Sequence, residues 1–529
     1  MKHESNCVVR TIVVVLALLV FPALLSAQVP PPKPLPPHKR VGNAAALLPA
    51  AGAASPWQLL TNQPPVLDYA DCGPGTPLLL TDGTVMVADK GCQDWWKLTP
   101  DRFGNYVNGT WTQLASLPAG YSPLYHGSAV LPDGRVIIEG GEYNFGHAVW
   151  TNQGAIYDPR TNTWTMVNPP AGWSTIGDAQ GVVLSDGTYM QANCCTTQAA
   201  LFNPATLTWT PTGANKFDVN DEEGWTLLPD GKVLTVDAYV PIGITYMPTG
   251  TSSEVYDPAS GSWSGAGSTI QQLWDSAHGC GGQKHASFEV GPGVLRPDGT
   301  VFYTGANRCG AGRTAVYDTL SGTWAAGPDF PGTLDVADGP AALEPNGNVL
   351  IMASPLIFNT PATFLEWNGT TLQEAAAAPN ASSDSSFYGN FLVLPTGQIL
   401  FTDFFFVSLY SPVGGYNLAW APVITSVPSV ISAGGSYVIS GYRFNGMSQA
   451  SAYGDDFQSA TNYPLVRITN EATGHVFYSR THDHSSMAVA STGLVSTHFD
   501  VPAKQEHGPS RLEVVVNGIP SPAVRVLVN

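Results

Sequence analysis

The sequence predicts an all-β protein built from repeated hairpins. Gly and Pro make up 55 and 44 of the 529 residues, whereas only 12% of the residues are charged. This composition is typical of a turn-rich β protein rather than a helical one. Seven pairs of short apolar strands are each joined by a tight turn, and a second hairpin motif follows most of them. Together these observations predict a ring of small sheets followed by a separate β-domain.

The first repeated element is the tight turn itself, as in "AVLPDGRVII" and "VVLSDGTYMQ". Asp-Gly and Asn-Gly between apolar strands are strong hairpin signals, because glycine takes positive φ without steric cost. The seven turns begin at Asp82, Asp133, Asp186, Asp230, Asp298, Asn346 and Thr396.

The second repeated element is a hairpin such as "VYDPASGSW" that ends on a tryptophan. Its tryptophans in the first five units are Trp111, Trp164, Trp209, Trp263 and Trp324. The sixth unit weakens to "NGTTL" and the seventh lacks its tryptophan, but "SPWQLL", which contains Trp57, resembles the missing strand. Pairing of the two chain ends would close the ring and leave no open sheet edge.

These repeats define the predicted domains. Four strands per unit, seven units and a spacing of about fifty residues predict a seven-bladed kelch-type β-propeller over residues 55–419. From residue 420 the motif disappears and short alternating strands with glycine turns follow. This pattern predicts one immunoglobulin-like β-sandwich over residues 420–529.

The N-terminus predicts export. Lys2 and Arg10 precede the apolar run "TIVVVLALLVFPALL" and the small-residue stretch "SAQ", the order of a signal peptide over residues 1–27. An N-terminal membrane anchor is the alternative, although the apolar run is short for a span. A Pro/Ala-rich linker over residues 28–54 should be extended and flexible.

The net charge and the predicted export together limit which partners the protein can have. A net charge of −18 with only 22 Lys and Arg makes nucleic acid and anionic membranes poor partners. After signal cleavage we expect a secreted, extracellular or periplasmic monomer with no membrane attachment.

The cysteines also fit an oxidising compartment. Signal cleavage would remove Cys7 and leave six cysteines, an even number. Local pairing of 72 with 92 and of 280 with 309 is the simplest connectivity, but the sequence alone does not fix it. The adjacent Cys194 and Cys195 form either a vicinal disulfide or two separate thiols.

Polar side chains recur at the start of the innermost strands. The residue eight positions before each turn should lie near the mouth of the pore that is opposite the turns. These residues are Pro74, Tyr125, Asp178, Glu222, Asp338 and Tyr388, and the fifth unit offers either His285 or Glu289. The loop "EYNFGHAVW" should reach the same mouth.

Convergent polar groups at a pore mouth are a common ligand-site arrangement. We predict that Asp178, Glu222 and Asp338 accept hydrogen bonds from the hydroxyl groups of a carbohydrate or polyol, with Tyr388 and Tyr125 as stacking surfaces. A disulfide between Cys194 and Cys195 would add a rigid apolar pad under a sugar ring. The alternative is that these polar residues only cap strand ends.

A kelch propeller followed by a sandwich in an exported chain resembles the galactose oxidase and glyoxal oxidase family of copper radical oxidases. The resemblance covers nearly the whole chain after the linker. It implies copper at the pore mouth, held by a tyrosine cross-linked to a cysteine, an axial tyrosine followed by a histidine, and a histidine from the C-terminal domain. "PLYHGSAVLPDGRV" puts the cross-linked tyrosine on Tyr125, and "YSRTHDHSSMAV" puts the C-terminal histidine on His482, close to His484.

Two positions depart from the family pattern. In "SSFYGNFLVLPTG", Phe387 takes the place of the axial tyrosine and Tyr388 that of the histidine, while a one-residue slip restores Tyr388 but places Gly389 at the ligand position. Pro74 takes the place of the cysteine. Because Cu(II) favours imidazole and phenolate donors, the copper-radical ligand set looks incomplete.

Three functions follow as alternatives. The first is a galactose-oxidase-like protein that binds or acts on a carbohydrate or polyol, with another divalent metal as an option. The second is a copper radical oxidase of a primary alcohol or aldehyde, with Tyr125 and His482 catalytic. In that case Tyr125, Tyr388, His482 and His484 would hold the metal, and His126 could substitute. The third is an extracellular protein-interaction scaffold.

Overall fold

The repeated hairpins form small antiparallel sheets, as the sequence predicts. The computed structural model describes residues 55–65, 72–238, 241–242, 245–246, 250–276, 280, 286–456 and 459–529. All of these residues lie in one compact unit, Pro32–Asn529. The predicted signal peptide and linker, and the candidate His285, lie outside the described residues.

Within the described residues, each of the seven hairpins belongs to a sheet that contains four strands of the repeat. We number these repeat sheets one to seven in the order of their hairpins. The first four consist of Pro74–Leu79, Val85–Asp89, Trp95–Thr99 and Thr110–Gln113; Gly127–Val130, Val136–Glu139, Gly154–Asp158 and Thr163–Val167; Gly181–Val183, Tyr189–Ala192, Ala199–Asn203 and Thr208–Thr212; and Thr226–Leu227, Val233–Val236, Ser252–Asp257 and Ser262–Ser268. The last three consist of Val290–Leu295, Thr300–Gly305, Thr314–Asp318 and Thr323–Ala326; Ala341–Leu343, Val349–Pro355, Thr363–Trp367 and Leu372–Glu374; and Asn390–Val393, Ile399–Thr402, Val407–Tyr410 and Trp57–Leu59.

Burial within a repeat sheet falls from the first strand to the last. In the first sheet, every residue of Pro74–Leu79 and Val85–Asp89 is buried, whereas Thr110–Gln113 is largely exposed. Strands that are buried on both faces read as continuous apolar runs, which is why the paired strands around each turn stand out in the sequence. The core therefore lies between the inner strands of neighbouring sheets.

The turns have the predicted geometry. The glycine of each hairpin turn has positive φ, for example 76° at Gly83 and 93° at Gly347. The side chain before it fixes the turn, since Asp82 Oδ1 accepts a hydrogen bond from the Thr84 amide at 3.0 Å. A Cβ at either glycine would meet the left-handed backbone penalty that glycine escapes.

The two ends of the repeat region pair, as the sequence predicts. Trp57–Leu59 lies antiparallel to Val407–Tyr410 and completes the seventh repeat sheet. Trp57 Nε1 donates to the Ala376 carbonyl at 2.7 Å, just after the last strand of the sixth sheet. Trp164 makes the equivalent bond to the Ala115 carbonyl at 2.9 Å. The repeated tryptophan thus ties the outer strand of one sheet to the preceding sheet.

The C-terminal residues form a separate nine-stranded sheet system in the described chain. Its strands are Val423–Ser426, Val430–Ile431, Ser436–Tyr442, Leu465–Asn470, Val476–His482, Leu494–Asp500, Gly508–Val516, Ile519–Pro520 and Val524–Val528. They enclose their own apolar core, which includes Ile439, Phe499 and Leu512.

One part of the C-terminal region leaves this sheet system and enters the repeat sheets. We call residues 448–456 and 459–463 the inserted segment. Its strand Ser451–Ala452 pairs with Ala341–Leu343, the inner strand of the sixth sheet. Gln449 Oε1 accepts from the Leu227 amide at 2.8 Å, and Ser459 Oγ donates to the Pro77 carbonyl at 2.8 Å. The segment therefore contacts the inner strands of three different sheets.

The remaining elements are small. A three-stranded sheet consists of Pro123–Leu124, Tyr143–Asn144 and His147–Ala148, a two-stranded one of Pro241–Ile242 and Thr245–Tyr246, and Leu334–Asp335 pairs with Val349–Pro355. The described residues contain two 3₁₀ turns, Ser386–Tyr388 and Leu418–Trp420, and no α-helix. Nowhere in the described part of the chain is there a helix long and apolar enough to span a membrane.

The disulfides match the simplest predicted connectivity. Cys72 bonds to Cys92 and Cys280 to Cys309. The adjacent Cys194 and Cys195 bond to each other, so the vicinal disulfide is confirmed.

Candidate functional site

Carboxyl side chains converge where the inner strands begin, at the end opposite the Asp-Gly turns. Glu222, Glu289 and Asp338 each lie just before or within a few residues of an inner strand, and each offers an oxygen within 4.8 Å of the others. The structure therefore brings Glu222 and Asp338 together with Glu289, one of the two candidates in the fifth unit.

Five more carboxyl groups surround these three. Burial raises the pKa of Glu142 well above its usual value, and the neighbouring charges of Asp178, Asp338, Glu289 and Asp456 raise it further. Asp455 has a raised pKa for the same reasons, and Asp221 adds to the charge near Glu222. We call these eight residues the carboxyl cluster: Glu142, Asp178, Asp221, Glu222, Glu289, Asp338, Asp455 and Asp456.

Burial favours the protonated form of the carboxyl groups in this cluster. Burial, with the charge of Asp338, raises the pKa of Asp178 to about 8, and burial raises that of Asp338 to about 7. Asp178 Oδ1 and Asp338 Oδ1 are buried without a hydrogen-bond partner among the described atoms. Carboxyl groups in this state can donate as well as accept a hydrogen bond, and their deprotonated form offers hard oxygen ligands to a cation.

Aromatic side chains lie beside the cluster. Tyr125, Tyr143, Tyr388, Phe404 and Tyr453 pack together with Leu124 in one buried group, the tyrosine cluster. The ring centroid of Phe404 lies 6.5 Å from that of Tyr125 and 5.6 Å from that of Tyr388. Burial raises the pKa of Tyr388 to about 12. At neutral pH this phenol is therefore a neutral group that can donate a hydrogen bond.

Burial and nearby charge connect the two clusters. The charges of Glu142 and Asp338 add to the effect of burial on the pKa of Tyr125, which is raised well above its usual value. Tyr125 therefore lies close to the carboxyl cluster, and Tyr388, which was predicted to lie at the same mouth, packs in the same group of aromatic residues as Tyr125.

The vicinal disulfide borders the same region. Cys194 is buried, and its Sγ lies 3.7 Å from Asp221 Oδ1. The Cys195 amide donates to the Asn220 carbonyl at 2.8 Å, which fixes the loop just before Glu222. The disulfide therefore supports the carboxyl cluster, and its role as a pad for a sugar ring stays a prediction.

The two predicted histidines lie elsewhere. His482 Nδ1 is 2.7 Å from Asp483 Oδ2 and its Nε2 is 3.3 Å from Asp500 Oδ1. The His484 amide donates to the Pro132 carbonyl at 3.2 Å, beside the Asp133 turn. That turn is at the far end of the inner strand from Tyr125.

The structure therefore does not bring these histidines to the tyrosines. The histidine stretch contacts the turn end of the second sheet, whereas the inserted segment contacts the inner strands. Among the described residues, none of the clustered groups suited to a metal contains a histidine.

His484 gives a testable pH dependence. Burial, and then the charge of the neighbouring His482, lower its pKa to about 3. A neutral buried imidazole stabilises the fold above pH 6.5, and this contribution is lost as the pH falls toward the folded-state pKa. We expect His484→Gln to reduce the loss of stability between pH 7 and pH 5 by about 2 kcal/mol.

Urea unfolding at both pH values measures this difference. His147→Gln, at an exposed side chain, is the control and should leave the pH dependence of wild type unchanged. An unchanged pH dependence in His484→Gln as well would show that His484 is not the acid-sensitive group.

Several members of the site were not predicted individually. Asp455 and Asp456 lie in the "YGDD" stretch of the inserted segment, and Tyr453 precedes them. Two consecutive acidic residues shortly after a tyrosine, in an otherwise uncharged stretch, were the available signal. Glu142 and Tyr143 belong to the loop that was expected at this mouth.

Comparison with known proteins gives a partial relative. No known family profile matches the chain. Over 128 residues the chain is 30% identical to the Kelch-like protein terF of Aspergillus terreus (strain NIH 2624 / FGSC A1156), a stretch that covers 24% of this chain and 26% of that protein. The chain therefore spans about a quarter of the length of this curated relative.

Solved structures give weaker likenesses. One is described as a novel fungal alcohol oxidase with catalytic diversity among the AA5 family, in complex with copper; it is 16% identical, covers 88% of this chain and 87% of its own, and has a TM-score of 0.41. Another is the extracellular domain of the putative hybrid two component system BT4673 from B. thetaiotaomicron, 11% identical over 80% of this chain and 51% of its own, with a TM-score of 0.44. Likenesses at these TM-scores carry no argument about function. Along about a quarter of its length, therefore, the chain is similar to a Kelch-like protein.

Proposed function

We propose that this chain is a galactose-oxidase-like kelch protein that binds a carbohydrate or other polyol at the carboxyl cluster. In this proposal the seven repeat sheets are the blades of a propeller, the carboxyl cluster lies at its pore mouth, and residues 420–529 are an immunoglobulin-like domain. The observation that carries the proposal is the convergence of eight carboxyl groups and four tyrosines at one end of the inner strands.

The chemistry of the site supports a hydroxyl-rich ligand. Asp178 and Asp338 are each partly exposed, so their carboxyl groups can accept a hydrogen bond from a ligand hydroxyl. The phenols of the tyrosine cluster supply ring faces and donors, the usual complement of a sugar site. A neutral polyol also avoids the repulsion that an anionic ligand would meet among these carboxyl groups.

Export is part of the same proposal. Three disulfides are formed, including two between cysteines more than a few residues apart. Disulfides persist in oxidising compartments, which agrees with the signal-peptide pattern at the N-terminus.

The described residues do not assemble the copper site that the family resemblance implies. Tyr125 and Tyr388 share a cluster, but the imidazoles of His482 and His484 bond to Asp500 and Thr497 outside it. Burial lowers the pKa of His126 to about 4, and its Nδ1 faces the Gly127 carbonyl at 3.2 Å. We therefore derive no radical step, and copper stays an alternative for metal analysis.

Substitution of Asp178 tests the proposal. At pH 9, above the raised pKa of about 8 of Asp178, we expect Asp178→Asn to weaken polyol binding at least about tenfold, because a hydrogen bond to a charged group contributes about 1.5–3 kcal/mol. Isothermal titration with D-galactose, cellobiose and xylitol as probes measures the affinity.

Asp186→Asn is the matched control. Asp186 lies in the same repeat sheet at the turn end, where it is exposed and accepts a bond from the Thr188 amide at 2.9 Å. Equal affinities in both variants and wild type would remove Asp178 from the site. Indifference to every substitution in the carboxyl cluster would favour the scaffold alternative.

A further inference from the structure

A second group of acidic residues lies behind the carboxyl cluster, around a buried lysine. We call it the lysine pocket: Lys216, Asp218, Glu223, Asp237 and Glu254. All five side chains are at most 3% exposed. Glu223 follows Glu222 of the carboxyl cluster directly, so one short stretch of chain supplies both groups. Nothing in the proposed function uses this pocket.

Three of the four carboxylates are well satisfied by hydrogen bonds. Lys216 Nζ donates to Asp218, to Glu254 at 2.8 Å and to Glu223 at 3.3 Å, which uses its three protons. Each of these carboxylates also accepts from a second donor at 3.0 Å. The Ala238 amide donates to Asp218, the Phe217 amide to Glu254, and Gln180 Nε2 to Glu223.

Asp237 is the exception. It is 1% exposed and its nearest cation is Lys216 Nζ, 4.0 Å from Oδ1. Neither of its oxygens accepts a hydrogen bond from the described atoms. Asp237 nevertheless offers an oxygen within 4.8 Å of oxygens from Asp218 and Glu223. A fully buried carboxylate therefore lies close to two others, and Lys216 Nζ, which donates to both of those, is 4.0 Å from it.

The charges do not balance either. One ammonium faces four carboxylates, which leaves three negative charges in a region without water access if all four are ionised. Uncompensated charge in a protein interior is costly, so the pocket must take up protons or a cation.

We propose that the lysine pocket binds one calcium ion between Asp218, Glu223 and Asp237. All candidate ligands are carboxylate oxygens, which suit hard cations rather than copper or zinc. Calcium accepts six to eight oxygen ligands in flexible geometry, whereas magnesium usually keeps several waters, for which a buried pocket has little room. Calcium would give Asp237 a coordinating cation closer than Lys216 Nζ and reduce the excess negative charge.

The competing arrangement is a shared proton. Burial, and then the charge of Asp218, raises the pKa of both Glu223 and Asp237 well above their usual values. Calcium must displace these protons, so its affinity should increase with pH.

Thermal unfolding of the full chain with and without calcium tests the proposal. After EDTA treatment and dialysis, added calcium should raise the unfolding temperature of wild type, since a ligand that binds only the folded state stabilises it. Mass spectrometry of the dialysed, calcium-loaded protein should find about one calcium per chain. No retained calcium and no shift would overturn the proposal without any variant being made.

Two variants locate the ion. Asp237→Asn should abolish the calcium shift, whereas Asp338→Asn, in the carboxyl cluster, should retain it. The opposite pattern would move the ion to the carboxyl cluster and overturn the proposal. If neither wild type nor Asp237→Asn responds to calcium, and the variant is the more stable of the two, the pocket holds a shared proton instead of an ion. That result would overturn the proposal.

Terbium luminescence adds a readout that does not depend on stability. Lys216 Nζ lies 5.3 Å from the ring centroid of Trp263, so an ion in the pocket would be close to this indole. Tb³⁺ added to EDTA-treated protein should emit on tryptophan excitation, calcium should compete this signal away, and Trp263→Phe should reduce it severalfold. An emission equally strong in Trp263→Phe would place the bound Tb³⁺ elsewhere and contradict the proposal.

Discussion

Trp57→Ala is expected to lower the free energy of unfolding by about 3–5 kcal/mol, the usual cost of removing a buried tryptophan. Trp57 is 5% exposed, and its ring centroid lies 5.0 Å from that of Phe364 and 4.9 Å from that of Tyr410. The substitution also removes the Nε1 bond to the Ala376 carbonyl. The loss therefore combines a large cavity, lost ring contacts and an unpaired carbonyl.

The position of Trp57 in the fold makes this effect larger than that of an ordinary core residue. It lies on the N-terminal strand Trp57–Leu59, which completes the seventh repeat sheet alongside Val407–Tyr410. If that strand detaches, the neighbouring strand becomes an open edge. We expect the variant to be cleaved by protease near its N-terminus faster than wild type.

Equilibrium denaturation with urea measures the change, and Gln58→Ala is the control. Gln58 is exposed on the same strand, so its substitution should stay within about 0.5 kcal/mol of wild type. A cost below about 1 kcal/mol for Trp57→Ala would mean that the N-terminal strand does not secure the last sheet.

Asp338→Asn is expected to stabilise the calcium-free protein at alkaline pH and to have little effect at pH 4. Burial raises the pKa of this carboxyl from 3.8 to about 7. Its proton is held more tightly in the folded state than in the unfolded state, so its contribution to stability is present below pH 4 and is lost as the pH rises through 7. Asparagine cannot ionise, so it avoids that loss.

The magnitude follows from the shift. One unit of pKa corresponds to about 1.4 kcal/mol, and allowing for partial solvent screening we expect a gain of about 3 kcal/mol at pH 9. Asp178→Asn should also stabilise the protein at alkaline pH. The loss of stability that it avoids continues up to about pH 8, because the pKa of Asp178 is raised to about 8.

Thermal unfolding between pH 4 and pH 9 in EDTA-containing buffer measures this effect, with Asp186→Asn as the control at an exposed turn. A parallel pH dependence in Asp338→Asn and wild type would show that Asp338 ionises freely in the folded protein. That result would also weaken the case for a dense carboxyl cluster.

The repeat region could be predicted because its signals are local. An Asp-Gly turn such as Asp82-Gly83 and the apolar strands around it are within ten residues of each other, and the turn chemistry specifies the hairpin. The pairing of Trp57–Leu59 with Val407–Tyr410 spans the whole region, but the displaced tryptophan motif revealed it. The inner-strand position before each turn pointed to Glu222 and Asp338, and left Glu289 as one of two candidates in the fifth unit.

The contribution of the C-terminal region could not be predicted in the same way. Ser451–Ala452 pairs with a strand more than one hundred residues earlier, and two residues of irregular sequence carry no register signal. For this reason Asp455 and Asp456 were missed. His482 ends a strand in register with His498, and its ring bonds to Asp500, contacts that depend on the sheet rather than on the "HDH" motif.

A glycan array probed with wild-type protein and with the Asp178→Asn/Asp338→Asn double variant tests the central claim most directly. The account predicts that wild type binds one or a few related carbohydrates and that the double variant loses this binding while unfolding cooperatively. Binding of the same carbohydrates by both proteins would place recognition outside the carboxyl cluster. Binding of none by either protein, in an array that includes linear polyols, would contradict the proposed function.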